Sequence, residues 1–218
     1  MRRPVYLNPG RIAAARSLLD VERGTHVEDA LARHAPKDAG DRSLAWHLAL
    51  GVLRNRLGLD GVIATAARRA TRTLDAEVLA VLRLGVFETQ FGRVPPHAAV
   101  DQTVEVARRL GVGHASGFVN AVMRKQLDLK VDPALAHGHP DWLVARWRAR
   151  YGEVDANAWM TANNTPAPLF LVAREDPAGL CRLLQHTGIV AVPAGDGVFQ
   201  VPSAPVDTSV TYTGRVPS

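Results

Sequence analysis

Signals that begin and end helices recur through the first 130 residues, and no alternation typical of a strand interrupts them. Asn8 followed by Pro9 predicts the start of the first helix, because asparagine caps free amide groups and proline fits the first helical turn. Gly24 is expected to end that helix. Asp41 is expected to cap a longer one. This part of the chain is therefore predicted to be an all-helical bundle.

The remaining helices of this bundle are inferred from apolar residues at helical spacing. They are predicted over residues 27–35, 43–56, 60–70, 75–91 and 98–110, with a last one from residue 116. In that last helix, the stretch GFVNAVMRK sets Asn120 at the edge of an apolar face and ends in Arg124 and Lys125. We expect Asn120 to tie a neighbouring loop or helix end to this helix.

The sequence pattern changes after residue 130. A helix is predicted at residues 141–152, then a strand at 169–174, a helix at 177–188 and two strands at 189–192 and 198–201. PAGDG, between the last two, reads as a hairpin loop. The predicted class is mainly α: a helical domain at 1–130, a linker with a helix at 131–165, and an incomplete α+β subdomain at 166–218. Its tail from residue 202 is expected to be poorly ordered.

Positive charge is concentrated in the helical part. The whole chain carries 26 Lys+Arg against 21 Asp+Glu, and the excess lies in the first 130 residues. Such segregation suggests a polyanionic partner, and arginine suits phosphate well. The candidate phosphate contacts are Arg11, Arg16, Arg54, Arg56, Arg68, Arg69, Arg72, Arg124 and Lys125. Each could be an ordinary surface cation.

Several classes of protein are excluded. No run of about 18 uncharged apolar residues offers a membrane span, and polar residues follow Met1 where a signal peptide would be apolar. Cys181 is the single cysteine, which rules out an internal disulfide. The histidines lack a zinc-protease spacing, and His137 with His139 reads as a turn, so no metal is expected. We expect a cytoplasmic protein.

The stretch from Arg83 to Lys125 resembles the signature half of the NusB family of RNA-binding helical domains. The family pattern is a helix of the form L-R-L-G, a short loop with proline, a V-x-x-x-V-E-x-A helix and a final F-V-N-x-V-L-R. The residues that carry it as a structural motif are Gly85, Pro95, Val100, Val104, Phe118, Val119 and Asn120. The resemblance covers about residues 8–130 and implies a NusB-like bundle.

The rest of the chain is similar to a second group. GHPDWLVARWRARYG and ANNTPAPLFLVAR resemble the linker of Sun (RsmB)-type small-subunit ribosomal RNA cytosine-5 methyltransferases, and DRSLAWHLALGVLR matches an early segment of that group. There, a NusB-like domain leads to an RRM-like subdomain and then to a Rossmann-type domain that binds S-adenosylmethionine. The resemblance implies ribosomal RNA as the partner.

The chemistry of that group needs two cysteines and a glycine-rich cofactor loop, which this sequence lacks. Cys181 reads as a packing residue, so no catalytic residue or cofactor is assigned to this chain. We expect an RNA-positioning part of such a methyltransferase, in a truncated chain that is inactive alone. The alternative is a NusB-type antitermination or ribosome-assembly factor that holds RNA together with a ribosomal protein. A helical domain that only recruits protein is a third possibility.

Overall fold

The structure is a computed structural model that describes residues 7–92, 94–131, 138–165 and 167–201. The chain divides into two compact units, Met1–Asn164 and Thr165–Ser218. The domain boundary that the sequence predicts after residue 130 stays a prediction. The tail from residue 202, which is expected to be poorly ordered, lies outside the described residues. His137, which was considered with His139 as a turn, also lies outside them.

Helices make up the described part of the first unit. They are α1 (Pro9–Glu22), α2 (Val27–Arg33), α3 (Ala39–Arg54), α4 (Arg56–Ala67), α5 (Ala76–Phe91), α6 (Pro96–Arg109), α7 (Ser116–Lys125) and α8 (Asp141–Asn163). Short 3-10 turns lie at Thr71–Thr73, Gly113–Ala115 and Gln126–Asp128. Among the described helices, none combines the length and the apolar character that a membrane span requires. The predicted all-helical bundle is confirmed.

Polar side chains set the starts of the first and third helices. The Asn8 side chain accepts a hydrogen bond from the Gly10 amide at 2.7 Å, which confirms the predicted cap. The prediction that Asp41 caps α3 is wrong, because Asp38 accepts from the Asp41 amide at 3.0 Å and the helix begins one turn earlier. The Asp41 carboxylate instead accepts a hydrogen bond from the Asn8 side-chain Nδ2 at 2.6 Å, which joins the starts of α1 and α3.

Helix α5 lies at the centre of the bundle. It packs against α1, α3, α4, α6 and α7, and it is buried without interruption from Ala80 to Glu88. A helix that is apolar on nearly all sides is stable only inside such a bundle. Gly85 explains part of the close packing, because a Cβ there would overlap the Thr103 hydroxyl and approach the Met123 methyl to 2.8 Å. The motif glycine therefore lets α5 approach α6 and α7.

A buried amide joins α5 to the 3-10 turn after α7. The Gln126 side chain is fully buried, and its amide nitrogen donates to the Thr89 hydroxyl at 2.9 Å. Gln90 donates to the Leu129 carbonyl at 2.9 Å beside it. These bonds satisfy polar groups that would otherwise be costly to bury. Gln126 and Gln90 therefore tie α5 to the segment that follows α7.

Helix α8 is a hairpin of two helical segments. Gly152 has φ 79° and ψ 168°, which breaks the helix where the sequence predicted its end. A second segment, which the sequence pattern did not indicate, then runs to Asn163. The Trp147 and Trp159 rings meet edge to face at 6.2 Å, and Arg148 Nε lies 3.0 Å from a Glu153 carboxylate oxygen. These contacts hold the two segments against each other.

The second unit holds β1 (Leu169–Val172), α9 (Pro177–His186), β2 (Val192–Gly195) and β3 (Val198–Val201). The strands form an antiparallel sheet in the order β1-β3-β2, with Leu171 opposite Phe199. The β-α-β-β order is as predicted, although β2 begins later and includes part of the predicted loop. The buried apolar side chains described in this unit are Leu184, Phe199 and Val201. The predicted small α+β subdomain is confirmed.

Candidate nucleic-acid interface

Two of the nine candidate phosphate contacts face carboxylates of the chain itself. The half-buried Arg11 guanidinium donates twice to the Glu88 carboxylate, at 2.6 Å from Nη2 and 3.1 Å from Nε. Arg56 Nη1 lies 3.3 Å from a Glu22 carboxylate oxygen. Because Glu88 lies 77 residues from Arg11, no local pattern could have indicated this pairing. Arg11 therefore joins α1 to α5, and its charge is already neutralised.

Arg83 is a buried cation whose structural role no local sequence pattern indicates. It donates to both Asp60 oxygens, at 2.7 and 2.8 Å, and to Glu22 at 2.7 Å, which links α5 to α4 and α1. Burial lowers the pKa of Arg83, but the hydrogen bonds and charges of Asp60 and Glu22 outweigh burial, so the pKa is raised overall. Arg83 is a fixed positive charge with a structural function.

Asp20 joins α1 to α2. Arg33 Nη1 lies 2.7 Å and His34 Nε2 3.0 Å from its Oδ2 atom. Burial raises the pKa of Asp20, but the hydrogen bonds and charges of His34 and Arg33 lower it by more. The pKa of Asp20 therefore lies below its ordinary value of 3.8. The carboxylate therefore stays ionised near neutral pH and favours the docked position of α2.

The remaining candidates have no carboxylate partner among the residues that the structure describes. They are Arg16, Arg54, Arg68, Arg69, Arg72, Arg124 and Lys125. Other arginines of the bundle, such as Arg23, Arg33 and Arg108, do have one. An unpaired cation offers its full charge to an external anion, whereas a paired one must first leave its carboxylate.

Four of these cations lie at the end of α4, in the turn that follows it and on α7. The Arg69 guanidinium lies 5.2 Å from the centre of the Phe118 ring, which joins the end of α4 to the start of α7. Arg68 caps α4 in the left-handed conformation with φ 55°, and Arg72 lies in the 3-10 turn that follows. Lys125 is seven residues beyond Phe118, so it lies on the same side of α7 about 10 Å further along. We call Arg68, Arg69, Arg72 and Lys125 the basic patch.

Arg124 lies on another side of α7. Its Nε donates to the Asn120 side-chain oxygen at 3.3 Å, one turn earlier in the same helix. The prediction that Asn120 ties a neighbouring element to α7 is therefore not supported, because its described bond stays within the helix. Asn120 instead orients a surface arginine.

Arg16 and Arg54 occupy other parts of the first unit. Arg16 borders a cleft of about 310 Å³ whose lining residues are Leu7, Pro9, Ile12, Ala13, Arg16, His34, Pro36 and Arg109. Arg54 is the last residue of α3. Arg16 on α1 and Arg54 at the end of α3 therefore lie on other elements than the basic patch.

The described residues contain no group of three or more His, Cys, Asp or Glu side chains that could hold a metal ion. His139 is in contact with the Trp147 ring, at 5.2 Å between ring centres. Cys181 is half-buried on α9. The candidate site is thus a group of cations beside the half-buried Phe118 ring, and its arginine and lysine side chains can pair with phosphates.

Two family models match the chain. The model of the NusB family matches residues 8–128, and that of the RsmF/B-like methyltransferase ferredoxin-like domain matches residues 139–198. Among solved structures, Thermotoga maritima NusB shares the fold with a TM-score of 0.52 at 21% identity, covering 62% of this chain and 97% of that one. The crystal structure of PH0851 gives a TM-score of 0.66 at 13% identity, over 93% of this chain and 50% of that one.

Similar proteins carry methyltransferase names. Ribosomal RNA small subunit methyltransferase B of Xylella fastidiosa is 33% identical over 85% of this chain and 44% of its own length. That of Thermus thermophilus is 37% identical over 75% of this chain and 40% of its own. The chain thus spans less than half the length of these relatives. The chain belongs to the NusB family through residues 8–128 and continues into a ferredoxin-like domain of the RsmF/B-like methyltransferase type.

Proposed function

We propose that this chain binds small-subunit ribosomal RNA through the basic patch and positions it for cytosine-5 methylation. The similar proteins are named ribosomal RNA small subunit methyltransferase B, and this chain matches 40–44% of the two described above. The methyl transfer, with S-adenosylmethionine as donor, is assigned to the part of such proteins that this chain does not match. A ribosomal RNA substrate places this function in the cytoplasm.

The observation that carries the proposal is the difference between paired and unpaired cations. Arg11, Arg56 and Arg83 face carboxylates of the chain itself. The four members of the basic patch face none that the structure describes. A phosphate that approaches the patch gains the attraction of several guanidinium groups without first breaking an ion pair. The basic patch is therefore the surface at which we propose that RNA phosphates bind.

The patch can hold RNA but cannot read its sequence by itself. Arginine and lysine contacts to phosphates fix position and orientation, whereas sequence is read at the bases. Folded RNA is recognised largely through shape and backbone contacts, which cations on a helical domain can make. The bundle would thus hold a folded region of the RNA while a separate part acts on one base.

A NusB-type factor that holds RNA together with a ribosomal protein is the second candidate. The likeness to Thermotoga maritima NusB in the helical part favours it. The RsmF/B-like ferredoxin-like domain over residues 139–198 has no counterpart in that role. The methyltransferase-associated function accounts for both parts of the chain and is the one proposed.

The test is binding to small-subunit ribosomal RNA fragments as a function of salt. We expect the triple variant Arg68→Glu, Arg69→Glu and Arg72→Glu to bind more weakly than the unchanged chain at 100 mM salt. The slope of log Kd against log salt should fall by about 2 to 3, because each lost phosphate contact removes about 0.7 to 0.9. Circular dichroism would confirm that the variant keeps its helical content.

The matched control is Arg23→Glu, Arg108→Glu and Arg109→Glu, which changes the net charge equally at exposed arginines that already have carboxylate partners. This control should bind nearly as well as the unchanged chain. Equal loss in both triple variants would mean that net charge alone attracts the RNA, and the assignment to the basic patch would be rejected. Binding that does not respond to salt would reject RNA positioning altogether.

A further inference from the structure

A cleft beside α1 lies on other elements than the basic patch. It has a volume of about 310 Å³, which is within the range of ligand sites. The first two turns of α1 line it, together with Leu7, the segment between α2 and α3, and Arg109 at the end of α6. These helices pack against each other, so the described walls of the cleft all belong to the first unit. We call it the α1 cleft.

Aliphatic groups form most of the described lining of the α1 cleft. The residues that contribute them are Leu7, Pro9, Ile12, Ala13 and Pro36. Ala13 is buried and Ile12 is half-buried. Such hydrocarbon is stabilised when another aliphatic side chain covers it, whereas a nucleobase would leave its polar edges unpaired against it. The lining therefore favours an aliphatic group over a base.

Two arginines border the same cleft with exposed side chains. Arg16 has no carboxylate partner among the residues that the structure describes. Arg109 is 66% exposed, and its Nε lies 3.3 Å from a Glu105 oxygen, while Arg108 contacts the other oxygen of Glu105 at 3.2 Å. One carboxylate balances only one of these two guanidinium groups, so an excess of positive charge stays at the end of α6.

His34 also lines the α1 cleft, but its ring is already engaged. Its Nε2 lies 3.0 Å from Asp20 Oδ2, and Arg33 Nη1 lies 2.7 Å from the same atom. Arg23 reaches the other Asp20 oxygen at 3.7 Å. The Asp20 carboxylate is thus balanced by cations of its own and does not offset Arg16. A ligand that enters the cleft therefore meets positive charge, and the ligand that complements it carries negative charge.

We infer that the α1 cleft binds a partner protein through a peptide segment in which aliphatic side chains alternate with carboxylates. The aliphatic side chains cover Ile12 and Pro36, and the carboxylates pair with Arg16 and Arg109. A segment of a longer chain suits the cleft better than a free acid, because both arginines are exposed and extend the contact beyond the hydrocarbon. The inference does not depend on RNA binding by the basic patch, and it assigns Arg16 to a peptide carboxylate instead of a phosphate.

The test uses the full chain and a fluorescent peptide of alternating leucine and glutamate, with binding followed by fluorescence anisotropy at constant ionic strength. We expect saturable binding with a Kd below about 1 mM. A peptide with serine in place of leucine should bind at least about tenfold more weakly, because a buried leucine side chain contributes about that factor or more. A peptide with glutamine in place of glutamate should also bind more weakly, since it cannot pair with the arginines as a carboxylate does.

The double variant Arg16→Gln, Arg109→Gln should weaken binding of the leucine-glutamate peptide by about tenfold, since each exposed charge contact contributes up to about fivefold. The matched control is Arg23→Gln, Arg124→Gln, which removes the same charge from exposed arginines that do not line the cleft. This control should bind like the unchanged chain. Circular dichroism would confirm that both double variants keep their helical content.

Absence of binding would overturn the inference. Equal affinity of the leucine and serine peptides, or equal loss in the two double variants, would also overturn it, because net charge alone would then attract the peptide. So would a loss of ribosomal RNA binding in Arg16→Gln, Arg109→Gln as large as that of the basic-patch triple variant, since this would assign the cleft to RNA. The basic-patch triple variant should retain peptide binding, so that a failure of RNA binding leaves this inference standing.

Discussion

Replacing Arg83 by methionine should destabilise the bundle strongly. Arg83 is 8% exposed in its side chain and makes three hydrogen bonds of 2.7 to 2.8 Å to Asp60 and Glu22. Methionine fills a similar volume but leaves both carboxylates without their cation. Removing one partner of a buried ion pair costs about 3 to 5 kcal/mol.

The partial exposure of the carboxylates places the expected cost at the lower end of that range. Asp60 is 20% and Glu22 35% exposed, so water can partly replace the lost guanidinium. We therefore expect Arg83→Met to lower the free energy of unfolding by about 3 kcal/mol. For a chain of this length each kcal/mol corresponds to about 2 to 4 °C, so the Tm should fall by about 6 to 12 °C.

Thermal and urea unfolding followed by circular dichroism at pH 7 would measure this change. Arg23→Met is the control, because Arg23 is 68% exposed and its contacts with Asp20 and Glu77 are 3.7 and 4.0 Å long. Its loss should cost less than about 1 kcal/mol. Adding Asp60→Asn to Arg83→Met should restore part of the stability, because one uncompensated charge is then removed. If Arg83→Met and Arg23→Met lowered the Tm equally, the structural role of the buried cluster would be disproved.

Three further predictions concern single side chains of the bundle. Gly85→Ala should destabilise by about 1 to 3 kcal/mol because its methyl group would overlap Thr103, and urea unfolding measures this. Ser17→Ala should be neutral or slightly stabilising in the same assay, because the buried Ser17 hydroxyl has no described hydrogen-bond partner. Asp20→Asn should destabilise most above pH 3.8. As the pH falls through the lowered pKa of Asp20, its carboxylate is protonated and the unchanged chain also loses the charged contact with His34. The urea midpoints of the unchanged chain and of Asp20→Asn should therefore converge. A constant difference between these midpoints down to about pH 2 would contradict this.

Local chemistry explains which parts of the fold could be predicted from sequence. Asn8 and Pro9 act within one turn of α1, and their positions alone define its start. Asp38 and Asp41 show the limit of this approach: both are good caps three residues apart, and nothing local decides between them. The helix begins at the earlier one because Asp41 is engaged by Asn8 from α1. Contacts between distant elements therefore decide boundaries that local preference leaves open.

The candidate interface could be predicted only in part for the same reason. The sequence identified the region rich in cations, but the carboxylate partner of Arg11 lies 77 residues away in the chain. The two partners of Arg83, Asp60 and Glu22, lie 23 and 61 residues away. Whether a cation is neutralised depends on how the helices pack. Phe118 likewise appeared in the sequence as a motif residue, whereas the structure shows that its ring contacts Arg69.

The left-handed conformation of Arg68 implies a conflict between folding and charge. This position at the end of a helix is usually occupied by glycine, and Arg68 is the non-glycine residue with positive φ among those described. A side chain in this conformation costs about 1 kcal/mol relative to glycine. Glycine would therefore make a more stable helix end but would remove a cation from the basic patch. A chain optimised for thermostability alone would be expected to carry glycine instead of this arginine.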